Sequence, residues 1–346
     1  MIEKYYNGVI EQVAGGIGNV EHNSILVRYS NDFSIWDLES VNHYKDQTDI
    51  FFTCHEFSYN KIAEAYEPYL GLIRQMFHKY CSGTLEEFME ECDVYKLQRP
   101  VFESYFEKGF CERTEQILID EVEYEQERMH SSIVTMLQKL SEICPIVIVL
   151  NRFQLASKST MQLTNRLLQT KNKNIGIVLG VNDVQSIPEF AHEEWDAICE
   201  SMDDRNMVYH IGNAGRNMEP DVMDYYSDYE SDDGYRKLNN LVYFLDFDQA
   251  NHHLSKIERR IKFDNFTISE KKHYQLLLLQ IMVSVLQRDI AKALESCEDL
   301  EKLQDQEKEG AFYYNFWMAT SYMYLGKLEE DDLCTEGKGV RRSAGG

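Results

Sequence analysis

Two stretches of this chain are apolar without interruption and rich in β-branched residues: "IVIVL" at 146–150 and "IGIVLGV" at 175–181. A strand that alternates apolar and polar residues can leave one face in water. These two cannot, because side chains on both faces need cover. The arrangement that provides it is a parallel sheet with helices on both faces, since parallel neighbours are joined by long crossovers that carry helices. Shorter β-type runs lie within 23–30 ("NSILVRYS"), 48–57 ("TDIFFTCHEF") and 207–212 ("MVYHIG"). Between the first two, Ile35, Leu38 and Val41 have helical spacing. That order reads as strand, helix, strand, with parallel pairing of the two strands and a right-handed crossover.

Helical patterns fill the intervals. They are expected over 66–80, from an N-cap at Thr84, over 114–143 up to Cys144-Pro145, and from Ser159 to about Thr170. The fold expected is a doubly wound parallel α/β sheet. The run "LVYFLDF" (241–247) reads as its last strand, and everything after it reads as helical.

The net charge of −24 and a sequence pI near 4.8 repel phosphate backbones and anionic lipid, so nucleic acid and membrane surfaces are poor partners. The apolar runs are too short for a membrane span. No basic n-region with an apolar core opens the chain, and eight cysteines lie scattered without a C-x-x-C pair. Both points lead to the expectation of a reducing, cytoplasmic setting.

The segment 145–183 offers the strand "IVIVL", the pair Asn151-Arg152, "FQLASKS", the helix "TMQLTNRLLQT" and the strand "IGIVLGVND". Upstream, "EAYEPYLGLIRQMF" (64–77) precedes a long helix. This order resembles the nucleotide-binding core of STAND-type signalling ATPases, relatives of the AAA family, over about residues 20–215. The resemblance implies a P-loop-NTPase-like sheet. It also implies a vestigial nucleotide site at Asn151, Arg152 and Arg28, with "RYSNDFSI" (28–35) in the place of the phosphate loop.

The chemistry of such a site is missing. The loop has no glycine, and Ser34 and Ile35 stand where Lys and Ser/Thr are needed. Asn151 and Arg152 replace an acidic pair, so a hard anionic Mg²⁺ ligand and a base are both absent. The expectation is a pseudo-ATPase with no catalytic residues, no metal and no cofactor. Two other groupings carry less. His252-His253 beside Asp246 and Asp248 suggests a metal, but adjacent helical residues point about 100° apart. Cys54-His55-Glu56 suggests a thiol nucleophile, but neighbours in sequence make a poor triad.

"YYNFWMATSYMYLGKLEE" (313–330), with Ala319, Tyr322 and Gly326, resembles the first helix and turn of a tetratricopeptide repeat. A weaker copy lies at 276–300, around Ala293 and Leu294. The domain organisation expected is an α/β domain over 1–215 and an acidic, tyrosine-rich mobile loop over 216–236. A last strand and connecting helix follow over 237–262, a tetratricopeptide-like segment over 263–331, and a disordered or non-native tail over 332–346. The tail reads as a truncation, a reading-frame change or an appended non-native sequence. A longer regulator is therefore expected, its output resembling a diguanylate cyclase or a transcriptional domain.

Functionally this points to a non-catalytic signalling scaffold that binds protein partners through its helical segment. The alternatives are a sensor that binds nucleotide or another small molecule without hydrolysis, and an enzyme of unrecognised type.

Overall fold

The computed structural model describes residues 2–18, 23–29, 35–45, 49–58, 61–111, 122–170, 172–182, 187–203, 208–211, 228–229, 231–263 and 266–303. The chain divides into two compact units, Met1–Gln249 and Ala250–Gly346.

The first unit is built on five strands, β1 (Ser24–Tyr29), β2 (Phe51–Glu56), β3 (Ile146–Asn151), β4 (Ile175–Asn182) and β5 (Val208–Ile211), in the order β2-β3-β4-β1-β5. Every pairing is parallel. The two unbroken apolar runs are β3 and β4, next to each other, with every residue of both buried. Each Val, Leu or Ile so buried contributes roughly 1.5–3 kcal/mol relative to exposure. The expected direct pairing of the first two strands does not occur. Two fully apolar strands need the sheet's interior, so β3 and β4 sit between β2 and β1.

Chain direction places the helices. The steps β2→β3, β3→β4 and β4→β5 all move one way across the sheet, whereas β1→β2 moves back. Right-handed crossovers therefore put the helices of the first three steps on one face and that of the last on the other. The contacts follow this rule. On one face α3 (Tyr69–Tyr80) meets α6 (Val122–Ile143), α6 meets α7 (Lys158–Gln169), and α7 meets α8 (His192–Asp203). On the other, α1 (Ile2–Gly15) meets α2 (Glu39–Lys45) and lies on β1, β3 and β4.

Local signals start and stop these helices. Before α4 (Leu85–Glu91), Thr84 accepts the Glu87 N–H while the Glu87 carboxylate accepts that of Thr84, a complete capping box. Pro100 lies in the first turn of α5 (Arg99–Lys108), which ends on Gly109 at φ 80°. The cap of α7 is Ser157, two residues before the Ser159 start expected from the sequence; its Oγ accepts from Thr160 N–H.

The run 241–247 is not a strand. Residues 241–243 end α9 (Asp232–Tyr243), and Phe247 opens α10 (Phe247–Phe263). A short apolar run fits a buried helix as well as a buried strand. Capping decides this one: Asp246 accepts the Gln249 N–H at 3.3 Å and also the Ser159 N–H at 2.9 Å, so one buried carboxylate serves the starts of α10 and α7. The acidic segment 216–236 lies mostly outside the described residues, but its end, from Asp232, is the first turn of α9.

The second unit contains the rest of α10, then α11 (Glu270–Leu286) and α12 (Ile290–Lys302). Arg288 takes φ 62° in the turn between α11 and α12. Leu276 to Val285 are all buried, so this part of α11 is covered on every side, as a core helix is. The motif at 313–330 and the tail at 332–346 lie outside the described residues. Among the described residues no helix is long and apolar enough to cross a membrane.

Candidate functional site

Ligands of open α/β sheets bind outside the carboxyl ends of the strands. Here those ends carry Arg28 and Tyr29 on β1, Glu56 on β2, Asn151 on β3 and Asn182 on β4, with Arg152 following β3.

Asn151 is fully buried. The Tyr29 hydroxyl donates to its Oδ1 at 2.8 Å, and the Phe57 N–H donates to its backbone oxygen at 3.1 Å. Gly180 of β4 stands beside it. A Cβ there would come within 2.6 Å of Asn151 Oδ1 and would overlap the Tyr6 hydroxyl. Four residues earlier, a Cβ on Gly176 would lie 2.7 Å from Val13 Cγ1. Residues four apart on a strand share a face, and Tyr6 and Val13 are two turns apart on α1. The two glycines thus let α1 run close along β4, and Tyr6 fills the space at Asn151.

Arg152 has left-handed backbone, φ 54° and ψ 42°, which turns the chain out of β3 into the 3₁₀ turn Phe153–Leu155. Its Nη1 lies 2.8 Å from Glu56 Oε1, with the side chains only 17% and 10% exposed. The other oxygen, Oε2, accepts the Ile35 N–H at 3.0 Å. Ile35 ends the stretch 28–35 to which the resemblance assigned the phosphate loop; residues 30–34 of that stretch lie outside the described residues. A carboxylate of the protein itself therefore holds the backbone donor and the guanidinium that an anion would need.

Arg28 is elsewhere. Successive strand residues point to opposite faces. Tyr29 reaches Asn151 under α1, so Arg28 faces α8, where its Nη2 donates to Cys199 Sγ at 3.1 Å and its guanidinium lies 5.7 Å from the Trp195 ring centre. The sheet separates Arg28 from Asn151, and the three candidate residues do not converge.

A second cluster lies beside the edge strand, joining His55 to Glu64, Glu67, Asp228, Lys237 and Asn240, none of which the sequence singles out. His55 Nε2 lies 3.5 Å from Glu67 Oε1, and Glu67 Oε2 accepts the Glu64 N–H at 3.1 Å. Asn240 of α9 donates to Glu64 Oε2 at 2.9 Å, and Asp228 accepts the Ile62 N–H at 2.7 Å and pairs with Lys237. Burial, then the charge of Glu67, pushes the Glu64 carboxyl up to about 7 against the Asn240 hydrogen bond and the Lys237 charge. Burial also raises Glu67 and holds His55 at about 4, so that imidazole is neutral at pH 7. Cys54 is pushed up by burial to about 11, so it is a thiol and not a nucleophilic thiolate. These bonds fasten α9 to the 61–67 segment. The sequence signal was weak: Glu64 and Glu67 flank a tyrosine and lie far from Asn240 along the chain.

Among the described residues no group of three or more His, Cys, Asp or Glu is placed to hold a metal ion. The described residues also line two cavities, one in each unit. One is a polar cleft of about 650 Å³ lined by residues including His130, Gln162, Arg166 and Glu194. The other, of about 280 Å³, is in the helical unit. Neither is lined by Arg28, Asn151 or Arg152. No family model, no curated protein and no solved structure matches the chain.

Proposed function

We propose that this chain is a non-catalytic module with the skeleton of a STAND-type, P-loop-NTPase-like domain, acting through protein–protein contacts. The observation that carries the reading is the self-closure of the strand ends. Glu56 occupies the Ile35 N–H and Arg152, and Asn151, which offers Mg²⁺ a neutral oxygen, is buried and bonded to Tyr29. Binding a nucleotide there would require breaking a largely buried ion pair and putting a second anion against Glu56.

The helical unit supplies the partner surface in this reading. α11 and α12, joined through a left-handed Arg288, support a tetratricopeptide-like hairpin, and the repeat-like sequence motif at 313–330 follows it in the chain. The strongly acidic chain suits neutral or basic protein partners in the cytoplasm. Its output would come from a further domain of a longer regulator.

Thermal unfolding of the chain with and without millimolar ATP, ADP and Mg²⁺ tests the reading. A ligand at 100 times its Kd stabilises by about 2.7 kcal/mol. No change in Tm is expected with any of them. A rise in Tm that disappears in Arg152→Ala would establish a nucleotide sensor instead.

A further inference from the structure

The helical unit holds an apolar cavity of about 280 Å³ between α10, α11 and α12. Its walls are Leu254, Ile257, Ile261, Leu276 and Leu277, and Gln280 of α11 also lines it. Gln280 is 3% exposed, and among the described residues its Oε1 has no hydrogen-bond partner. The orientation of this amide follows from its neighbours. The Lys292 ammonium, which can only donate, gives a hydrogen bond to Asn251 Oδ1 at 2.8 Å, so that atom is the Asn251 carbonyl oxygen. Gln280 Nε2 shares the same acceptor at 3.4 Å and reaches Ser284 Oγ at 3.1 Å. Turning the amide over would set two carbonyl oxygens against each other. Oε1 is thus the end directed away from Asn251, a buried acceptor left without a donor beside an apolar space.

A buried acceptor without a protein donor favours a ligand that brings one. The charges at the mouth cancel in pairs: Lys262 with Glu258 and Lys302 with Asp299, each at 2.7 Å. Burial lowers the pKa of His273, so it adds no charge at neutral pH. A dry apolar cavity near 150 Å³ takes up benzene, so this one has room for two fused rings.

We infer that the cavity between α10, α11 and α12 is a binding site for an uncharged aromatic or alicyclic molecule with one hydroxyl or N–H donor, which Gln280 Oε1 accepts. The site is independent of the nucleotide-like region and would make the helical unit responsive to a small apolar ligand. It also accounts for a polar side chain kept in the middle of "LLLLQIMVSVL".

The test is a calorimetric titration of the full chain with 2-naphthol and with 2-methoxynaphthalene, which keeps the rings and removes the donor. The hydroxyl compound should bind about tenfold more tightly, the value of one hydrogen bond to an otherwise unsatisfied acceptor. Gln280→Leu should bind both compounds alike. Leu277→Trp, which fills the cavity, should abolish binding of both and serves if Gln280→Leu does not fold. No binding of naphthol, equal binding of the two compounds by the unaltered chain, or a preference that survives Gln280→Leu each overturns the assignment.

Discussion

Replacing Glu64 by glutamine should stabilise the protein above neutral pH and leave it unchanged near pH 4.5. The folded chain holds this carboxyl at about 7 against an ordinary value of 4.5, first through burial and then through the charge of Glu67. Between those two values the folded chain binds more protons at this site than the unfolded chain does. Stability from this group is therefore complete below 4.5 and is lost as pH rises through 7. At about 1.4 kcal/mol per pH unit, the loss comes to about 3 kcal/mol by pH 8.

Glutamine cannot ionise, yet its carbonyl oxygen can still accept from Asn240 Nδ2, the bond that ties this residue to α9. His55 and His130, both held at about 4 by burial, act in the opposite sense. Their contribution is present above pH 6.5 and is lost as pH falls toward 4. They are common to both proteins and cancel in the difference. The assay is urea unfolding of both chains at half-unit steps from pH 4.5 to 8.5. The stability of the variant minus that of the parent should start near zero and climb by about 3 kcal/mol, steepest between pH 5 and 7. A flat difference, or a variant less stable at pH 8, would refute the assignment of a desolvated, charge-crowded carboxyl.

Gly180→Ala should cost about 1–3 kcal/mol, because the new methyl group meets Asn151 and Tyr6. Gly8→Ala, where a Cβ meets nothing within 4 Å, should instead stabilise α1 by about 0.5–1 kcal/mol; denaturant midpoints separate the two. Glu56→Gln and Arg152→Met should each destabilise by roughly 3 kcal/mol by leaving one largely buried charge alone. The double variant should lose less than the two added, with a coupling of at least about 1 kcal/mol; strict additivity would mean the ion pair does not close the strand ends.

Several of these features were legible in the sequence and others were not. The cap at Thr84 and the strands β3 and β4 announce themselves locally, since each depends on residues within one turn or one short run. Two further signals were present but read for something else. Gly176 and Gly180 in "IGIVLGV" mark the close approach of α1, and Asp246-x-x-Gln249 is the spacing of a helix start. Asp246 was weighed as a metal ligand, and the apolar run before it as a strand. Once α9 and α10 are in place, its two acceptor bonds show why a carboxylate stands there.

Period and composition, which act over a few residues, by themselves determined an α/β protein with two fully buried strands and helices after the sheet. They also show that residues 28–35 contain neither glycine nor lysine and that Asn151-Arg152 is not a pair of acids. Tertiary structure alone decided the strand order, the separation of Arg28 from Asn151 by the sheet, and the capture of Arg152 and the Ile35 N–H by Glu56. Each of these depends on which segments, distant in the chain, end up as neighbours. That follows from how the whole set of apolar faces can be buried at once, a condition that no short stretch of sequence contains.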